Sequence, residues 1–315
     1  MRPMKINGVL IDDTFAEAFD MRAAAIIITA DSARWARQAA VTMTGYATSV
    51  IGCGCEAGID VELPPTRSPD GRPGVRVLIF AMSVTDLQNQ LRNRVGQCVL
   101  TSPGSACYGD LDGDERLKLG DSLRYFGDGW QISKRFGAKH YWRIPVMDGE
   151  FVCEATVALT REAVGGGNLL ILGASSTQAL AAAEAAVLAI EATPGAIMPF
   201  PGGIVRSGSK MGAKYKNMRA STNEPFCPTL RGAVKTALNP EIASVLEIVI
   251  DGLTSEAVAN AMRAGLRAIA DLGATKGAAR VSAGNYGGKL GPHHYHLRTL
   301  SRADAGRALS GEEET

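Results

Sequence analysis

The pattern of hydrophobic and polar residues predicts a series of strands and helices that occurs twice along the chain. Short apolar runs predict buried strands, and apolar residues spaced three and four positions apart predict helices. The amino-terminal half is predicted to contain a strand at 24–30, a helix at 32–44, a Gly-rich strand and loop at 45–60, a strand at 74–81, a helix at 84–95 and a strand at 96–102.

The carboxyl-terminal half repeats this order. It is predicted to contain a strand at 168–174, a helix at 175–193, a Gly-rich strand and loop at 200–209, a strand at 245–252, a helix at 254–272 and a strand at 278–284. The middle of this half is longer, so that residues 210–243 form an inserted loop, and such insertions often carry a binding face. The three glycines at 165–167 predict a turn before the first strand.

Strand, helix, strand, strand, helix, strand is the split βαβ arrangement, in which helices cover one face of an antiparallel sheet. The sequence therefore predicts an α+β fold of two similar ferredoxin-like lobes. We expect an amino-terminal lobe with its linker region at 1–148, a carboxyl-terminal lobe at 149–300 and a polar tail at 301–315. The Gly- and Asp-rich segment 103–167 either links the lobes or covers one sheet, and YWRIPV and LRYFGDGWQI within it are strand candidates.

Charge and composition exclude several classes of function. Lys and Arg number 33 and Asp and Glu 32 among 315 residues, so that the formal charge of +1 provides no global field for a polyanion, and we expect no nucleic acid partner. The longest apolar runs are too short for a membrane span, and the acidic amino terminus does not resemble a signal or transit peptide. Six dispersed cysteines fit reduced thiols better than a disulfide framework, and we expect a cytoplasmic protein.

A Gly-, Ser- and Lys-rich loop at 200–214 is the most informative candidate for binding. Adjacent glycines let a ligand approach the main chain, and five cations without an acid lie between Arg206 and Arg219. Such a loop is either an ordinary solvated basic segment or a recognition site for carboxylates or a phosphate. A second Gly cluster at 282–291 lacks the dinucleotide-binding spacing, and the two clusters are able to line one cleft.

Glu247 is a carboxyl group inside the apolar strand VLEIVI. A carboxyl in such a position either faces water at a sheet edge or is buried with a raised pKa, which lets it hold a proton near neutral pH. The sequence alone leaves both alternatives open.

Metal and hydrolase signals are weak. The Cys53 and Cys55 pair is read as buried small side chains, and the HHYH segment at 293–296 as an exposed strand face, with a metal as the less favoured alternative in each case. The loop from Asp110 to Asp121 resembles a calcium loop, but Glu115 occupies the position that requires Gly. No GxSxG elbow occurs, and we expect no metal.

Several segments in the same order resemble the formylmethanofuran:tetrahydromethanopterin formyltransferases between residues 4 and 297. They include KINGVLIDDTFAEAFD, TGYATSVIGC, FPGGIVRSGSKMGAKY, ASTNEPFCPT, LEIVIDGLTSEAV and VSAGNYGGKLG. The resemblance departs at Gly54, where the family is expected to carry Pro, and in the segments 103–145 and 231–243.

The resemblance implies two ferredoxin-like lobes and a reversible formyl transfer between the amine of a methanofuran-type carrier and tetrahydromethanopterin. Both carriers act as substrates, and no permanently bound cofactor or covalent enzyme intermediate is expected. The catalytic glutamate of the family corresponds to Glu247. The neutral charge favours the branch found in methylotrophs, which oxidise formaldehyde and in which a polyglutamate tail extends the methanofuran-type carrier.

The resemblance also gives meaning to the two Gly clusters. The residues expected to bind substrate are Pro201, Gly202, Gly203, Arg206, Ser207, Ser209, Lys210, Lys214, Asn223, Ser282, Asn285, Gly288 and Lys289. We expect a homo-oligomer, a subunit of a complex with a hydrolase, or both. The alternatives are a non-catalytic subunit that presents formylmethanofuran to a hydrolase, and a tandem ferredoxin-like domain that senses a metabolite.

Overall fold

Hydroxyl side chains begin the four longest helices. In the computed structural model, which describes residues 4–302, Ser32, Ser83, Ser175 and Thr254 each accept a hydrogen bond from the backbone N–H three residues later. This bond satisfies an N–H group that has no partner inside the helix. All four helices predicted from the sequence are confirmed.

Residues 4–302 form nineteen strands and seven α-helices. The strands are β1 (Met4–Ile6), β2 (Val9–Ile11), β3 (Phe15–Asp20), β4 (Arg22–Thr29), β5 (Glu56–Leu63), β6 (Gly74–Ala81), β7 (Ala106–Gly109), β8 (Arg116–Lys118), β9 (Ile132–Phe136), β10 (Lys139–Val146), β11 (Gly149–Glu154), β12 (Thr156–Ala158), β13 (Val164–Gly173), β14 (Ala196–Ile197), β15 (Lys210–Met211), β16 (Ala220–Ser221), β17 (Ser244–Gly252), β18 (Arg280–Ser282) and β19 (His293–His296). The helices are α1 (Ala33–Thr44), α2 (Val50–Cys53), α3 (Val84–Arg94), α4 (Gly120–Leu123), α5 (Ser176–Glu191), α6 (Ser255–Leu272) and α7 (Leu297–Arg302).

Residues 20–163 form one compact unit, called here the inner unit. Its sheet has the strand order β5-β6-β4-β7-β11-β10-β9, in which the first four strands are antiparallel to one another and β7 pairs with β11 in parallel. Helices α1 and α3 cover one face, where Met43 and Leu91 are fully buried together with Ile26 and Ile79 of the central strands.

Residues 4–19 and 164–302 form the second unit, called here the terminal unit. Its sheet has the strand order β1-β2-β18-β13-β17-β14, and β3 joins β13 to β19. Helices α5 and α6 cover one face, where Ala183 and Met262 are fully buried with Ile171 and Ile248. The Ala-rich helix α5 is therefore accounted for by close packing within its own unit.

The helix-free face of the terminal unit is partly covered by the segment inserted before β17. Leu238 and Ile242 of this segment form an apolar cluster with Leu170 of β13. The segment also contains the antiparallel pair β15 and β16 and two 3-10 turns, Glu224–Phe226 and Pro228–Leu230. The insertion predicted from the sequence thus lies over the sheet face that the helices leave open.

Four strands of each unit have the same order. The inner unit contains the spatial order β5-β6-β4-β7, and the terminal unit the spatial order β14-β17-β13-β18. In the inner unit helices follow β4 and β6 along the chain, and in the terminal unit helices follow the equivalent strands β13 and β17. The mixed α and β content and the predicted repeat of elements are confirmed at this level.

Two strand predictions are wrong. The segment 96–102 does not form a strand, because α3 continues into a π-helical turn, Val95–Val99, whose apolar side chains stay buried, and the fourth strand is β7 instead. The segment 200–209 does not form a regular strand either. Pro201–Gly203 is a 3-10 turn, and the edge strand β14 lies before it.

The predictions for 103–167 are partly wrong. The three glycines at 165–167 lie inside β13, at a bulge between Val164 and Gly167, and not in a turn. A Cβ on Gly167 would lie 2.4 Å from Val258 Cγ1, so that close approach of α6 requires glycine there. Residues 123–127 form helical turns, whereas the strand predicted at 141–146 is confirmed within β10. Strands β9, β10 and β11 extend the inner sheet.

The division predicted at 1–148 and 149–300 remains a prediction. The internal contacts group residues 4–19 with residues 164–302. The polar tail predicted at 301–315 lies outside the described residues from 303 onward, and Ser301 and Arg302 end α7.

Candidate functional site

Glu247 lies in the middle of β17, opposite Leu170 of β13. Because side chains alternate along a strand and Ile248 and Ile250 belong to the core beneath the helices, the Glu247 side chain lies on the helix-free face. It is half-buried, and burial raises the pKa of its carboxyl to about 7. Within residues 4–302 no hydrogen-bond donor reaches this carboxyl to offset the effect of burial, and a pKa of about 7 leaves it about half protonated at neutral pH.

A cavity of about 490 Å³ has Glu247 in its wall. Arg206, Ser207 and Asn223 line the same cavity, and Leu180 and Phe226 add apolar surface. The structure thus brings four of the residues predicted from sequence to one place. A mixture of an exposed cation, neutral polar groups and apolar wall is typical of sites for small organic ligands.

The basic segment reaches the cavity because its start is paired with β17. The Val205 N–H donates to the Glu247 carbonyl at 2.7 Å, and the Glu247 N–H donates to the Val205 carbonyl at 2.9 Å. Arg206, the next residue, is exposed and lines the cavity. The position of the first cation is therefore fixed by the backbone of the strand that carries Glu247.

The other predicted cations differ from Arg206. Lys210 forms a salt bridge with Glu224, and hydrogen bonding to Lys210 is the main reason that the pKa of the Glu224 carboxyl is lowered. Lys214 and Ser209 are exposed on the same segment and do not line the cavity. The acid that pairs with Lys210 lies beyond Arg219 in the sequence, so counting charges between Arg206 and Arg219 could not find it.

Pro201, Gly202 and Gly203 form a turn outside the cavity wall. Gly203 has φ +76° and is buried, and a Cβ there would lie 2.9 Å from Val187 Cγ2 of α5. Glycine at this position is explained by packing against the helix, while Gly202 is exposed with nothing near its Cβ position.

The second Gly cluster begins on the same sheet face as Glu247. Ser282 of β18 is buried opposite Leu170, so its side chain shares the face of Glu247. Asn285 uses its amide to donate to Thr14 Oγ1 and to the Phe15 carbonyl, both at 3.1 Å. Asn285 therefore anchors the loop, and Lys289 in the same loop is exposed.

Glu17 was not predicted from the sequence. Its side chain is only 1% exposed, and its carboxylate accepts backbone N–H groups from the second Gly cluster, including that of Gly288. Burial acts to raise the pKa of Glu17, but four backbone N–H donors outweigh it and lower the pKa to about 2. The available signal was a charged residue between the buried positions Ala16 and Ala18.

The weaker metal candidates are separated in space or lie at the surface. Asp110 pairs with Arg76, whereas Asp121 accepts from the Trp142 indole at 2.8 Å. His294 is exposed on β19 with its ring 4.8 Å from that of Phe15, as an alternating strand predicts. In the described part of the chain, no three His, Cys, Asp or Glu side chains are grouped as metal ligands would be. No helix among residues 4–302 has the length and apolar character needed to span a membrane.

Comparison with known proteins gives matches along nearly the whole chain. The family model described as formylmethanofuran-tetrahydromethanopterin formyltransferase matches residues 4–146, and that described as FTR, proximal lobe, matches residues 149–300. A formylmethanofuran–tetrahydromethanopterin formyltransferase from Methylococcus capsulatus is 62% identical over 297 residues, which cover 94% of this chain and 99% of the relative.

Two solved structures are similar in both sequence and fold. A chain in the formyltransferase/hydrolase complex from Methylorubrum extorquens, solved with methylofuran, is 57% identical with a TM-score of 0.93, covering 95% of this chain and 99% of that one. The formylmethanofuran:tetrahydromethanopterin formyltransferase from Methanosarcina barkeri is 44% identical with a TM-score of 0.88, covering 94% and 100%.

Proposed function

Because the chain belongs to the formylmethanofuran–tetrahydromethanopterin formyltransferase family, we propose that the cavity beside Glu247 is where it transfers a formyl group between its two carriers. The chain is a formyltransferase, and the reaction is the reversible transfer between a methanofuran-type amine and tetrahydromethanopterin. The observation that carries the site assignment is a carboxyl that no side-chain or backbone donor among residues 4–302 reaches, with a pKa of about 7, in the wall of a cavity of about 490 Å³.

The protein has to supply a proton shuttle but no nucleophile, because the attacking nitrogen belongs to one of the carriers. A ring nitrogen of one carrier attacks the formyl carbon of the other, a new C–N bond forms, and the oxygen becomes an oxyanion in a tetrahedral intermediate. The old C–N bond then breaks, and the departing amine takes up a proton. In our proposal the protonated Glu247 supplies that proton and the resulting carboxylate takes one from the attacking nitrogen.

The neutral groups around Glu247 suit the oxyanion and the carbonyl. Ser207 and Asn223 line the cavity with Glu247, and the Ser282 side chain lies on the same sheet face. Hydroxyl and amide donors held by the fold stabilise charge that develops in the transition state without having to reorganise. Holding two carriers in register supplies the larger share of the acceleration.

Arg206 is the best-placed cation for the carboxylates of a methanofuran-type carrier. It is exposed on the cavity wall, and no acidic partner contacts it within residues 4–302. Lys214 extends the positive charge along the segment. Lys210 forms a salt bridge with Glu224, which would have to break before Lys210 could bind a carboxylate of the carrier. We propose that carboxylate binding begins at Arg206 and continues toward Lys214.

We also propose that the two units are ferredoxin-like lobes, that the chain assembles with a hydrolase and that it is cytoplasmic. Antiparallel strands in the shared order, with helices on one face, support ferredoxin-like lobes. The relative from M. extorquens is named as one subunit of a formyltransferase/hydrolase complex, which supports assembly with a hydrolase. The six free cysteines support a cytoplasmic location, and the proposed chemistry requires no permanently bound cofactor.

The test is formyl transfer by the purified chain, followed spectroscopically with formylmethanofuran and tetrahydromethanopterin. Glu247→Gln should lower kcat by roughly 10² to 10⁴ with little change in KM, because it removes the proton but keeps the shape. Glu191→Gln, at the exposed end of α5, is the matched control and should behave as wild type. A folded Glu247→Gln variant with near-normal kcat would contradict the assignment. Carrier binding without transfer by the wild type would favour a subunit that only presents the carrier.

A further inference from the structure

The loop that follows β18 folds around the carboxylate of Glu17. Its oxygens accept the backbone N–H groups of Tyr286 at 2.6 Å, Gly288 at 2.8 Å, Leu290 at 2.6 Å and Gly291 at 2.7 Å. Each carboxylate oxygen receives two of them. Hydrogen bonds to a charged acceptor are about twice as strong as neutral ones, so this carboxylate is the main anchor of the loop.

The start of the same loop is tied to the sheet face that carries Glu247. Asn168 of β13 accepts the Gly284 N–H at 2.6 Å and donates to the Gly284 carbonyl at 3.2 Å. Asn168 pairs with Val249, and this pair lies two residues along the strands from the pair Leu170 and Glu247, so all four side chains share one sheet face. The loop therefore leaves the sheet on the Glu247 face and not on the helix face.

Tyr286 is the side chain that this arrangement presents. Its ring is 37% exposed and stands 6.0 Å from the ring of Phe19, centroid to centroid. Burial raises the pKa of the Tyr286 hydroxyl, and the charges of Glu247 and Glu17 raise it further, so the ring lies within electrostatic reach of both carboxyls. An exposed tyrosine ring beside a half-buried phenylalanine ring is suited to the flat ring of a ligand.

We propose that Glu17 is a positioning residue for formyl transfer, which holds segment 284–291 so that Tyr286 contacts the flat ring system of the pterin carrier. This inference rests on the proposed function, since it assigns a role beside Glu247. Glu17 itself touches no substrate. It acts through the loop, because every polar atom of its carboxylate is occupied by backbone N–H groups.

A carboxylate is required for this role, and its closest substitute is not equivalent. In Glu17→Gln one oxygen becomes an NH₂ group, which cannot accept and which faces two N–H donors. Two hydrogen bonds are lost, and the buried donors are left unsatisfied. We expect a folded protein whose loop is loosened on one side.

The experiment compares Glu17→Gln with Glu154→Gln. Glu154 is 3% exposed in the inner unit and accepts from the Gly109 N–H and from Arg116, so its substitution disturbs a buried carboxylate of similar kind outside the loop. Both variants should lower the melting temperature. Glu17→Gln should also raise KM for tetrahydromethanopterin about 10-fold and speed amide exchange at 284–291, whereas Glu154→Gln should keep wild-type kinetics.

A double-mutant cycle with Tyr286→Ala separates positioning from general destabilisation. If Glu17 acts through Tyr286, the two single variants raise KM similarly and the double variant is no worse than either. Effects that multiply, or a Glu17→Gln variant with wild-type KM despite faster exchange at 284–291, would overturn the proposal.

Two further measurements keep this result independent of folding and of the proposed function. Should Glu17→Gln fail to fold, Asn285→Ala, which removes three side-chain hydrogen bonds of the same loop, should raise the same KM. If the wild type transfers no formyl group, the proposed function fails. Quenching of tyrosine fluorescence by bound tetrahydromethanopterin, present in wild type and lost in Tyr286→Ala, would still support the loop assignment, and its absence from wild type would overturn it.

Discussion

Ser282 and Glu247 flank Leu170 in register on the two strands adjacent to β13, so that a buried hydroxyl and a carboxyl share one sheet face. Two strand spacings separate them, roughly 9 to 10 Å. The Leu170 side chain stands between them on that face, so that the hydroxyl and the carboxyl do not contact each other. Ser282 therefore does not donate to the carboxyl, and burial keeps the pKa of Glu247 at about 7.

The pH dependence of kcat should report Glu247. Its carboxyl has a pKa of about 7, and the proposed step begins with the protonated form, so kcat should fall as pH rises above that value. The measurement is kcat against pH from 5 to 9 under saturating carriers. Glu247→Gln should lose this alkaline limb, and a limb unchanged in that variant would assign it to another group.

Glu247 should also make folding stability depend on pH. Its pKa is raised from 4.5 to about 7 in the folded state. Its contribution to the free energy of unfolding is therefore fully present below pH 4.5 and is lost as the pH rises through 7. Glu247→Gln avoids that loss and should be more stable at pH 8 by at most about 3 kcal/mol, with little difference at pH 4. Urea denaturation at both pH values measures it. Equal stabilities at pH 8 would show that the carboxyl is solvated.

Arg206→Ala should weaken binding of the methanofuran-type carrier. Loss of a charge-assisted hydrogen bond predicts about a 10-fold or larger rise in KM for that carrier, with a smaller change in kcat. The effect should diminish as salt is added, because salt screens an exposed cation. Lys216→Ala is the control, since Lys216 is exposed on the same segment but does not line the cavity. Similar KM values in the two variants would exclude a specific role for Arg206.

Neighbouring glycines should respond differently to alanine. Gly203→Ala introduces a Cβ 2.9 Å from Val187 at a φ of +76°, and should destabilise by about 2–4 kcal/mol through overpacking and backbone strain. Gly202 has φ +60° with open space around it, so that its substitution should cost only about 1 kcal/mol. Urea denaturation of both variants gives the difference, and equal losses would mean that the contact with α5 is easily relieved.

Local sequence signals predicted much of this fold. The helices starting after Ser32, Ser175 and Thr254 combine a capping side chain with apolar periodicity, and both signals lie within or next to the helix itself. The central strands, such as Val164–Gly173 and Ser244–Gly252, are long apolar runs. Such features need no knowledge of distant residues.

The predictions were wrong or incomplete where contacts with residues distant in sequence determine the local structure. The segment after Arg94 stays helical because Val95 and Val99 are buried in the inner core, although the same residues predict a strand when taken alone. Gly167 is inside a strand because α6 approaches it. Glu17 finds its donors about 270 positions away, which no local pattern encodes.

Pairing between the two ends of the chain constrains how the protein is made. β2 pairs with β18, and β3 pairs with β19, so two strands made before residue 21 have partners that are synthesised only after residue 279. The inner unit lies wholly between them and is complete by residue 163. We expect it to fold during translation, whereas β2 and β3 wait for β18 and β19 and Glu17 remains without its loop. Catalytic competence is therefore a late event, reached only when β18, β19 and segment 284–291 have been synthesised and have joined β2 and β3.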